Sequence, residues 1–511
     1  MKRILAILLA LAMVFCFAAC GEKKETGNEP QTPVKDSIVI GCEQEPYSLS
    51  PIESTGAPSA RIRRLICQGL FEIDEKGNYI PLLATEWTWK DDVTLEFKLR
   101  EGVKFTDGKE FKAADVAWSM KNALGRGGIF DNYVKDTTIV DDHTIDINFL
   151  APNSVCFDFF TSQHFPIYNE EAYTADGNEF AYNLIGTGPY KLVKWNTGES
   201  LTMEANPDYW GKAPAIKNVT FKFITEESQR TMEMETGGTD IDVQVDAGNF
   251  SYFQDETKFK MASAADPFLR ELFFNMSPAK NSPVCDLRVR QAIAYAFDAA
   301  AVQSSLKNGA GSTPTTNINP LYASIYEPGK EILFKYDVDK AKALLKEAGY
   351  ETGLKLVVLD DATEDYKNFS EMLMGALDAV GVEVEMLTRD YTTWYDTVCK
   401  KEEWDLCWFS LGDATSPVYA FNHFLGDGTR IASPDYTSWR NDTFLDALVE
   451  ASVCNDPVRY KELFQIMNQC MIDDLPMYSF YVQESTAVYG ADLNGFEFRN
   501  GLLNIEEISF K

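Results

Sequence analysis

The residues able to catalyse a reaction are few in this sequence and poorly spaced for one. The three histidines lie far apart in the chain: His143, His164 and His423. This spacing disfavours most metal-dependent hydrolases and histidine-dependent nucleophiles, and neither Gly-x-Ser-x-Gly nor His-Glu-x-x-His occurs. A secreted carboxylate-dependent hydrolase could use Asp240/Asp242 or Asp473/Asp474, but among 78 Asp and Glu such neighbours arise by chance. The sequence therefore favours a binding protein over an enzyme and indicates no cofactor.

The ten cysteines do not indicate a metal centre. No Cys-x-x-Cys pair occurs, and the spacing does not match a tetrahedral zinc site. A chain of this size needs no disulfide scaffold for stability. We therefore expect most cysteines to be buried as small hydrophobic residues, and we predict no metal ligands.

The charge balance disfavours several classes of partner. The chain has 511 residues, with 47 Lys and Arg against 78 Asp and Glu, which gives a net charge of -31 and a pI near 4.5. Such a negative field repels phosphate backbones, so nucleic-acid binding is disfavoured. Hydrophobic residues make up 45% and charged residues 24%, proportions typical of a folded globular protein. At roughly 150 residues per domain, the length predicts about three structural units.

Residues 1–19 have the pattern of a secretory signal peptide. Lys2 and Arg3 precede an uninterrupted run of apolar and small residues. This run is shorter than the roughly 20 apolar residues that a membrane-spanning helix needs. We therefore predict a cleaved signal peptide and an extracytoplasmic protein.

The end of this segment predicts a lipid anchor. Residues 17–20, Phe-Ala-Ala-Cys, resemble a bacterial lipobox, with Phe17 where leucine is usual. In that motif the cysteine receives the lipid and becomes the mature N-terminus, so Cys20 is the predicted lipidation site. Residues 20–36 are rich in polar residues and are expected to form a disordered tether that keeps the protein at the cell membrane.

The first half of the folded chain is rich in antiparallel features. Residues 92–100 alternate apolar and polar side chains with period two, as do residues 144–150. Between them, the spacing predicts an amphipathic helix from Ala113 to Leu124.

Helices alternate with strands after about residue 280. Asp286 can cap a helix that Gly309 would end, and Asp337 can cap another that ends at Gly349. The later segments are a strand at 354–359, a helix at 369–380, a strand at 382–387 and a helix at 457–471. Such alternation predicts an α/β unit with parallel strands.

Several sequence blocks, in this order, resemble the extracellular solute-binding proteins of peptide-class ABC importers (family 5). The family includes oligopeptide-, dipeptide- and nickel-binding proteins, and the resemblance runs from about residue 38 to the end. The blocks that carry it are PLLATEW (81–87), LEFKLREGVKFTDGKEFKAADVAWSMKNAL (95–124), GTGPYKLVKW (186–195), ANPDYWG (205–211), LRVRQAIAYAFD (287–298) and DKAKALLKEAGY (339–350).

The resemblance implies an α/β, two-lobed, periplasmic-binding-protein-like clamp of type II with an extra α+β domain. Lobe I would be built from three separated segments, and ligand would lie between lobes that close by hinge rotation. The implied boundaries are 37–57, 186–276 and 480–511 for lobe I, 58–185 for the extra domain and 277–479 for lobe II.

The resemblance also implies where a ligand amine is held. In peptide-binding relatives an acidic residue of the second lobe receives the charged N-terminus of the peptide. The corresponding stretch is CWFSLGDATSP at 407–417, in which Asp413 falls on that acid. Gly412 and Leu411 precede it and are expected to line the same site, although the stretch lacks the family's Gly-Trp pair. A carboxylate in a water-poor cleft pairs well with an ammonium group, which gives this assignment a physical reason.

Other positions that match the family are expected to line the cleft. Glu45 corresponds to an acidic position of oligopeptide-binding relatives, and Tyr391 to an aromatic wall of a side-chain pocket. Gln244 and Val245 fall on a segment whose edge would pair with an extended peptide. Two further aromatic residues are candidate walls, with core packing as the alternative: Trp408 and Tyr436.

The resemblance implies a monomeric, lipid-anchored receptor that captures di- or oligopeptides and delivers them to a permease with ATPase subunits. Other cargo remains open within the same fold: a nickel chelate, which His423 could contact, an opine-like amino-acid derivative or an oligosaccharide. A role as a ligand sensor also remains open. Ligand identity, length and side-chain preference do not follow from the sequence.

Overall fold

The computed structural model describes residues 35–50, 57–74, 78–124, 129–150, 152, 155–176, 182–361, 364–410, 416–421, 436–454, 456–499 and 502–511. The predicted signal peptide and Cys20 lie outside these residues. Within the described ranges, no helix is both long and apolar enough to cross a membrane.

The strands of the described residues, in chain order, are β1 Ser37–Cys42, β2 Phe71–Ile73, β3 Tyr79–Pro81, β4 Ala84–Asp91, β5 Thr94–Leu99, β6 Val134–Asp141, β7 Thr144–Phe149, β8 Tyr190–Asn196, β9 Ser200–Ala205, β10 Asn218–Phe223, β11 Ile241–Asp242, β12 Phe259–Phe274, β13 Leu354–Asp360, β14 Val382–Thr388, β15 Leu406–Phe409, β16 Met477–Gly490, β17 Leu493–Asn494, β18 Phe498–Arg499, β19 Leu502–Leu503 and β20 Ser509–Phe510.

The α-helices of the same residues are α1 Ala57–Arg63, α2 Ala113–Ala123, α3 Ile129–Tyr133, α4 Glu170–Asp176, α5 Glu227–Thr236, α6 Leu287–Ala296, α7 Ala299–Ala301, α8 Val338–Glu347, α9 Glu364–Asp378, α10 Tyr391–Lys400, α11 Pro417–Phe421, α12 Asp442–Ala451 and α13 Pro457–Asp474.

Ten strands form one mixed sheet in the order β14-β13-β15-β12-β16-β11-β1-β10-β9-β8. The long antiparallel strands β12 and β16 lie near its middle and join a half containing β1 and β8–β11 to a half containing β13–β15. Parallel pairing of β13 with β14 and β15 confirms the α/β unit predicted for the second half. The predicted domain boundaries at 276/277 and 479/480 fall just after β12 and within β16, and they stay a prediction.

A separate antiparallel sheet has the order β4-β5-β7-β6, and helix α2 packs against β6 and β7. Both strands predicted from alternation are present in it as β5 and β7, and the predicted helix is α2. The inward side chains Leu95, Phe97, Ile145 and Ile147 are fully buried. The period-two pattern is visible in the sequence because only one face of this sheet contributes to the core.

Helix α6 begins as predicted, because the side chain of Asp286 accepts a backbone N–H of its first turn. The helix ends at Ala296, however, and a second helical stretch, from Ala299 through the π-helical turn Val302–Leu306, is the one that stops just before Gly309. Asp298 then caps the short helix α7 by accepting the N–H of Ala301 at 3.1 Å. A second capping acid offers the backbone an alternative partner and divides the segment that the apolar spacing joins.

Two glycines of the Gly-Thr-Gly-Pro segment let the entrance of β8 approach the chain that follows α1. A Cβ atom on Gly186 would lie 2.1 Å from the carbonyl oxygen of Ile66, and one on Gly188 would lie 2.4 Å from that of Leu65. The N–H of Gly188 also donates to the carbonyl of Ile66 at 2.8 Å. These glycines therefore serve close backbone packing.

Candidate ligand-binding site

The candidate site lies where β12 and β16 pass between the two halves of the large sheet. The register shifts there, so that residues 266–268 stand opposite Gln483 alone. Within this bulge the carboxylate of Asp266 accepts the N–H of Phe268 at 2.9 Å. The backbone carbonyl of Asp266 accepts the side-chain amide of Asn319, also at 2.9 Å. A bulge re-aims the side chains of a strand, and here it precedes a charged residue.

That residue is Arg270, whose guanidinium organises a polar cluster. Its Nε donates to Oε1 of Gln483 at 3.1 Å, and its Nη2 donates to the same oxygen. Its Nη1 donates to Oγ of Ser410 at 2.8 Å. The hydroxyl of Tyr366 lies 3.1 Å from the same Oγ. Together Arg270, Gln483, Ser410 and Tyr366 form what we call the Arg270 cluster.

The position of Ser410 ties the Arg270 cluster to the predicted ligand site. Ser410 directly follows strand β15, and the next residues are 411–415. That segment contains the predicted amine-binding Asp413 together with Gly412 and Leu411, all of which lie outside the described residues. The cluster is thus adjacent in the chain to the segment that the sequence assigns to the ligand.

Burial governs the electrostatics of this region. Burial raises the pKa of the Asp266 carboxyl, against the lowering effect of the Phe268 N–H and of Arg270. Burial also raises the pKa of Tyr366 to about 12, with Arg270 and Ser410 acting in the opposite direction. Tyr366 is therefore neutral at physiological pH, and charges in this region interact more strongly than they would in water.

A buried polar network supports the cluster from the same two strands. Glu271 on β12 and Ser479 on β16 are each 1% exposed, and the Ser479 hydroxyl lies 3.5 Å from Oε1 of Glu271. Ser479 also donates to Oδ1 of Asn317 at 3.0 Å, and the N–H of Asn317 donates to Oδ1 of Asn468 at 2.9 Å. These bonds hold the segment before Asn319 against the long strands.

Glu45 has two partners within the protein. One carboxylate oxygen accepts the indole N–H of Trp195 at 2.7 Å, and the other accepts the N–H of Gly198 at 2.9 Å. Both donors belong to the β8–β9 hairpin. The structure thus gives Glu45 a role in holding this hairpin, and its predicted contact with ligand stays a prediction. Tyr391 is the first residue of α10, and its predicted contact likewise stays a prediction.

The structure gives partners within the protein to backbone groups of Gln244 and Val245, and the predicted contact of these residues with a peptide stays a prediction. Strand β11, which precedes them, lies inside the sheet between β1 and β16. The Gln244 carbonyl accepts from Arg230 at 3.0 Å, and the Val245 N–H donates to the carbonyl of Thr486 at 3.0 Å. These backbone groups pair within the protein because the chain continues along its neighbouring strand instead of ending at an edge.

The structure also places both predicted aromatic walls in the core. Trp408 is 0% exposed, and its indole N–H donates to Oγ of Ser370 at 2.7 Å. Tyr436 is 3% exposed, and its hydroxyl lies 3.2 Å from that of Tyr395. Their rings fill the core beside β15, so the packing alternative describes them. The sequence, by contrast, does not predict any residue of the Arg270 cluster as a ligand-binding residue.

The described residues offer no arrangement that would hold a metal ion, counted as three or more His, Cys, Asp or Glu side chains. Seven cysteines of the described ranges are free thiols: Cys42, Cys67, Cys285, Cys399, Cys407, Cys454 and Cys470. Three of the seven, Cys42, Cys67 and Cys407, are buried, and burial raises the pKa of each thiol.

A buried ion pair lies just before Gln244. Arg230 Nε is 3.4 Å from Oδ1 of Asp242, and the two side chains are 4% and 1% exposed. The second carboxylate oxygen of Asp242 is buried without a hydrogen-bond partner. The desolvation of the carboxylate therefore outweighs the attraction of Arg230 and raises the pKa of Asp242 to about 6.

This pKa predicts a pH-dependent stability. A carboxyl whose pKa rises on folding stabilises the folded state fully below its unfolded value of 3.8, and that contribution is lost as the pH rises through about 6. We expect the wild type to lose about 2 kcal/mol relative to Asp242→Asn between pH 4 and pH 7. Urea unfolding of both proteins across this range measures the difference, and parallel curves would contradict the raised pKa.

Comparisons with known proteins agree with this architecture. The glutathione-binding protein GsiB of Escherichia coli (strain K12) is 24% identical over 482 residues, which cover 90% of this chain and 91% of GsiB. The structure of HbpA2 from Haemophilus parasuis superposes with a TM-score of 0.83 at 20% identity, covering 93% of this chain and 100% of HbpA2.

A dipeptide-binding protein from Pseudoalteromonas sp. SM9913, solved in complex with Met-Leu, gives a TM-score of 0.75 at 21% identity. This match covers 93% of this chain and 100% of that protein. The family model of the bacterial extracellular solute-binding proteins, family 5, matches residues 78–433. With most of the chain covered by that match, this protein belongs to the family 5 extracellular solute-binding proteins, the substrate-binding components of ABC importers.

Proposed function

We propose that this solute-binding protein captures di- or oligopeptides between its two lobes and delivers them to a permease with ATPase subunits. The observation that carries the proposal is the Arg270 cluster, in which a partly buried guanidinium donates at 2.8 Å to Ser410, the residue that directly precedes 411–415 in the chain. A peptide carries both an ammonium and a carboxylate group, and an acid and a base near one cleft match that chemistry. GsiB and the Met-Leu complex are relatives with peptide ligands in their names.

In this proposal, β12 and β16 form the connection about which the lobes close, and residues 58–185 form the extra domain. The register shift opposite Gln483 interrupts the pairing between these two connecting strands. A position where ladder pairing is interrupted bends more readily than a continuous ladder. The protein acts as a monomer, and no catalytic step is assigned to it.

Asp413 receives the peptide ammonium in this proposal. Asp413→Asn keeps the size of the side chain and removes its charge, so we expect about a 30-fold loss of affinity for peptides with a free N-terminus. The measurement is retention of a pooled tripeptide library by native mass spectrometry, repeated with the same pool N-acetylated. The acetylated pool lacks the ammonium and is expected to bind both proteins equally weakly.

Ser416→Ala serves as the matched control, because Ser416 is a neighbouring, fully buried polar residue that follows the segment. It is expected to preserve the preference for free N-termini. If Asp413→Asn retains the free pool as well as the wild type does, the amine role of Asp413 is wrong.

We further propose that Cys20 carries the lipid that holds the protein at the outer face of the cytoplasmic membrane. Two acyl chains are enough for stable anchoring, whereas one gives only marginal binding. We expect Cys20→Ser to move the protein from the membrane fraction to the soluble fraction without changing peptide retention. Fractionation and intact mass measure this, and an unchanged membrane fraction would contradict the anchor.

A further inference from the structure

Two buried arginines, Arg290 and Arg230, show how this protein satisfies a guanidinium when the role is structural. Arg290 is 5% exposed and donates to four backbone carbonyls, those of Val284, Cys285, Asp474 and Leu475. Arg230 is 4% exposed, donates to three carbonyls and lies 3.4 Å from a carboxylate. In both cases most of the N–H groups have strong acceptors.

Arg270 is neutralised differently. Its hydrogen bonds go to two neutral side chains, Gln483 and Ser410, through one N–H each of Nε, Nη1 and Nη2. A guanidinium has five N–H donors, so two are left. Among the described residues no carboxylate oxygen lies within 4.0 Å of Arg270, although the chain carries 78 acidic residues.

Asp266, four positions before Arg270, is an acid on which Arg270 acts electrostatically. Their charges interact strongly enough for Arg270 to lower the pKa of the Asp266 carboxyl, yet that carboxylate is bound to the N–H of Phe268. The partly buried charge of Arg270 therefore lacks a contacting counter-ion within the described part of the chain. A charge held out of water without such a partner costs free energy that an incoming anion recovers.

We propose that Arg270 binds the carboxylate of the captured ligand and so selects peptides with a free C-terminus. This inference rests on the proposed function and deepens it. Gln483 fixes the plane of the guanidinium by accepting from both Nε and Nη2, while Ser410 holds Nη1. The remaining N–H groups are available to a carboxylate, with which a planar guanidinium makes directional, charge-assisted bonds.

Tyr366 strengthens this arrangement. Its hydroxyl shares Oγ of Ser410 with Arg270, so the serine links the tyrosine to the guanidinium. Because the pKa of Tyr366 is raised to about 12, the phenol stays neutral and does not compete as an anion. Within the described part of the chain, the cluster therefore presents one positive charge that has neutral polar groups, and no carboxylate, in contact with it.

The test compares two pools of tripeptides with identical sequences and free N-termini, one with C-terminal carboxylates and the other with C-terminal amides. The full chain in detergent is mixed with each pool, and bound peptide is quantified by native mass spectrometry. We expect the wild type to retain the carboxylate pool about 30-fold more than the amide pool. This ratio is measured on the unaltered protein, so it does not depend on whether a variant folds.

Three variants assign the preference to Arg270. Arg270→Gln removes the charge and is expected to lower retention of the carboxylate pool about 30-fold while changing the amide pool less than about threefold. Arg270→Lys keeps the charge without the planar fork and is expected to give an intermediate ratio. Arg288→Gln removes an exposed arginine, on helix α6, that bonds to Asp286, and it should preserve the wild-type ratio.

The outcomes separate this inference from the proposed function. Equal retention of the two pools by the wild type overturns the carboxylate role while peptide capture stands. A parallel loss of both pools in Arg270→Gln assigns Arg270 to the fold alone and also overturns it. Retention of neither pool by the wild type shows that peptide capture itself is wrong.

Discussion

Replacing Trp408 with alanine is expected to lower the free energy of unfolding by about 3–5 kcal/mol. The ring is 0% exposed, and its centroid lies 5.2 Å from that of Phe480, 5.7 Å from that of Phe369 and 6.0 Å from that of Phe297. The substitution also removes the indole N–H that donates a hydrogen bond to Oγ of Ser370. The loss is large because a cavity of this size in a packed core collapses only partly. Urea unfolding measures it.

The same position separates a core residue from a ligand wall. Trp408→Phe keeps an aromatic ring and loses mainly the hydrogen bond to Ser370, so we expect a cost of about 1 kcal/mol and unchanged peptide retention. If Trp408 lined the ligand, peptide retention would fall in Trp408→Phe while the unfolding free energy stayed near wild type. That result would contradict the packing that the structure shows.

Replacing Arg290 with alanine is expected to cost at least about 3 kcal/mol of unfolding free energy. Arg290 joins the start of helix α6 to the end of helix α13, because its guanidinium reaches carbonyls on both sides. Alanine leaves several buried carbonyl groups without their donor. Differential scanning calorimetry or urea unfolding measures the effect.

Arg288→Ala is the matched control for Arg290, since it removes an arginine two positions away on the same helix. Arg288 is exposed and bonds to the neighbouring Asp286. Its loss is expected to leave the unfolding free energy close to that of the wild type. Equal effects of the two substitutions would show that the four carbonyl contacts of Arg290 contribute little.

The elements most accurately predicted are those with one buried face and clear end signals. Strands β5 and β7 follow the alternation of the sequence, and helix α8 begins at the predicted cap, where Asp337 accepts the N–H of Lys340. Gly349, with φ of 89°, follows that helix as expected. In these segments local spacing and tertiary burial favour the same structure.

The elements that differ are those fixed by distant partners. Strand β16 runs on to Gly490 because it pairs with β12 along most of its length, and the sequence alone does not predict this extent. Gln244 and Val245 resemble an edge, but their backbone partners come from Arg230 and Thr486, which are distant in sequence. Spacing within one segment carries no information about such partners.

The residues of the candidate site also fall into those that the local sequence predicts and those that depend on distant partners. Comparison with family motifs directs attention to residues 411–413, which are contiguous and match a pattern. Arg270 lies in the apolar strand FLRELFFNM, where a lone basic residue is the one available signal. Its importance depends on Gln483 and Ser410, more than 100 residues away, and on the lack of a contacting acid among the described residues.

The most direct test of the central claim is identification of what the protein carries when it is isolated. The full chain, purified in detergent without denaturation, is examined by native mass spectrometry, and the bound molecules are released and sequenced. Capture of peptides predicts co-purified peptides with free N-termini and free C-terminal carboxylates. Recovery of oligosaccharides, opine-like compounds or metal chelates, with no peptides, would contradict it.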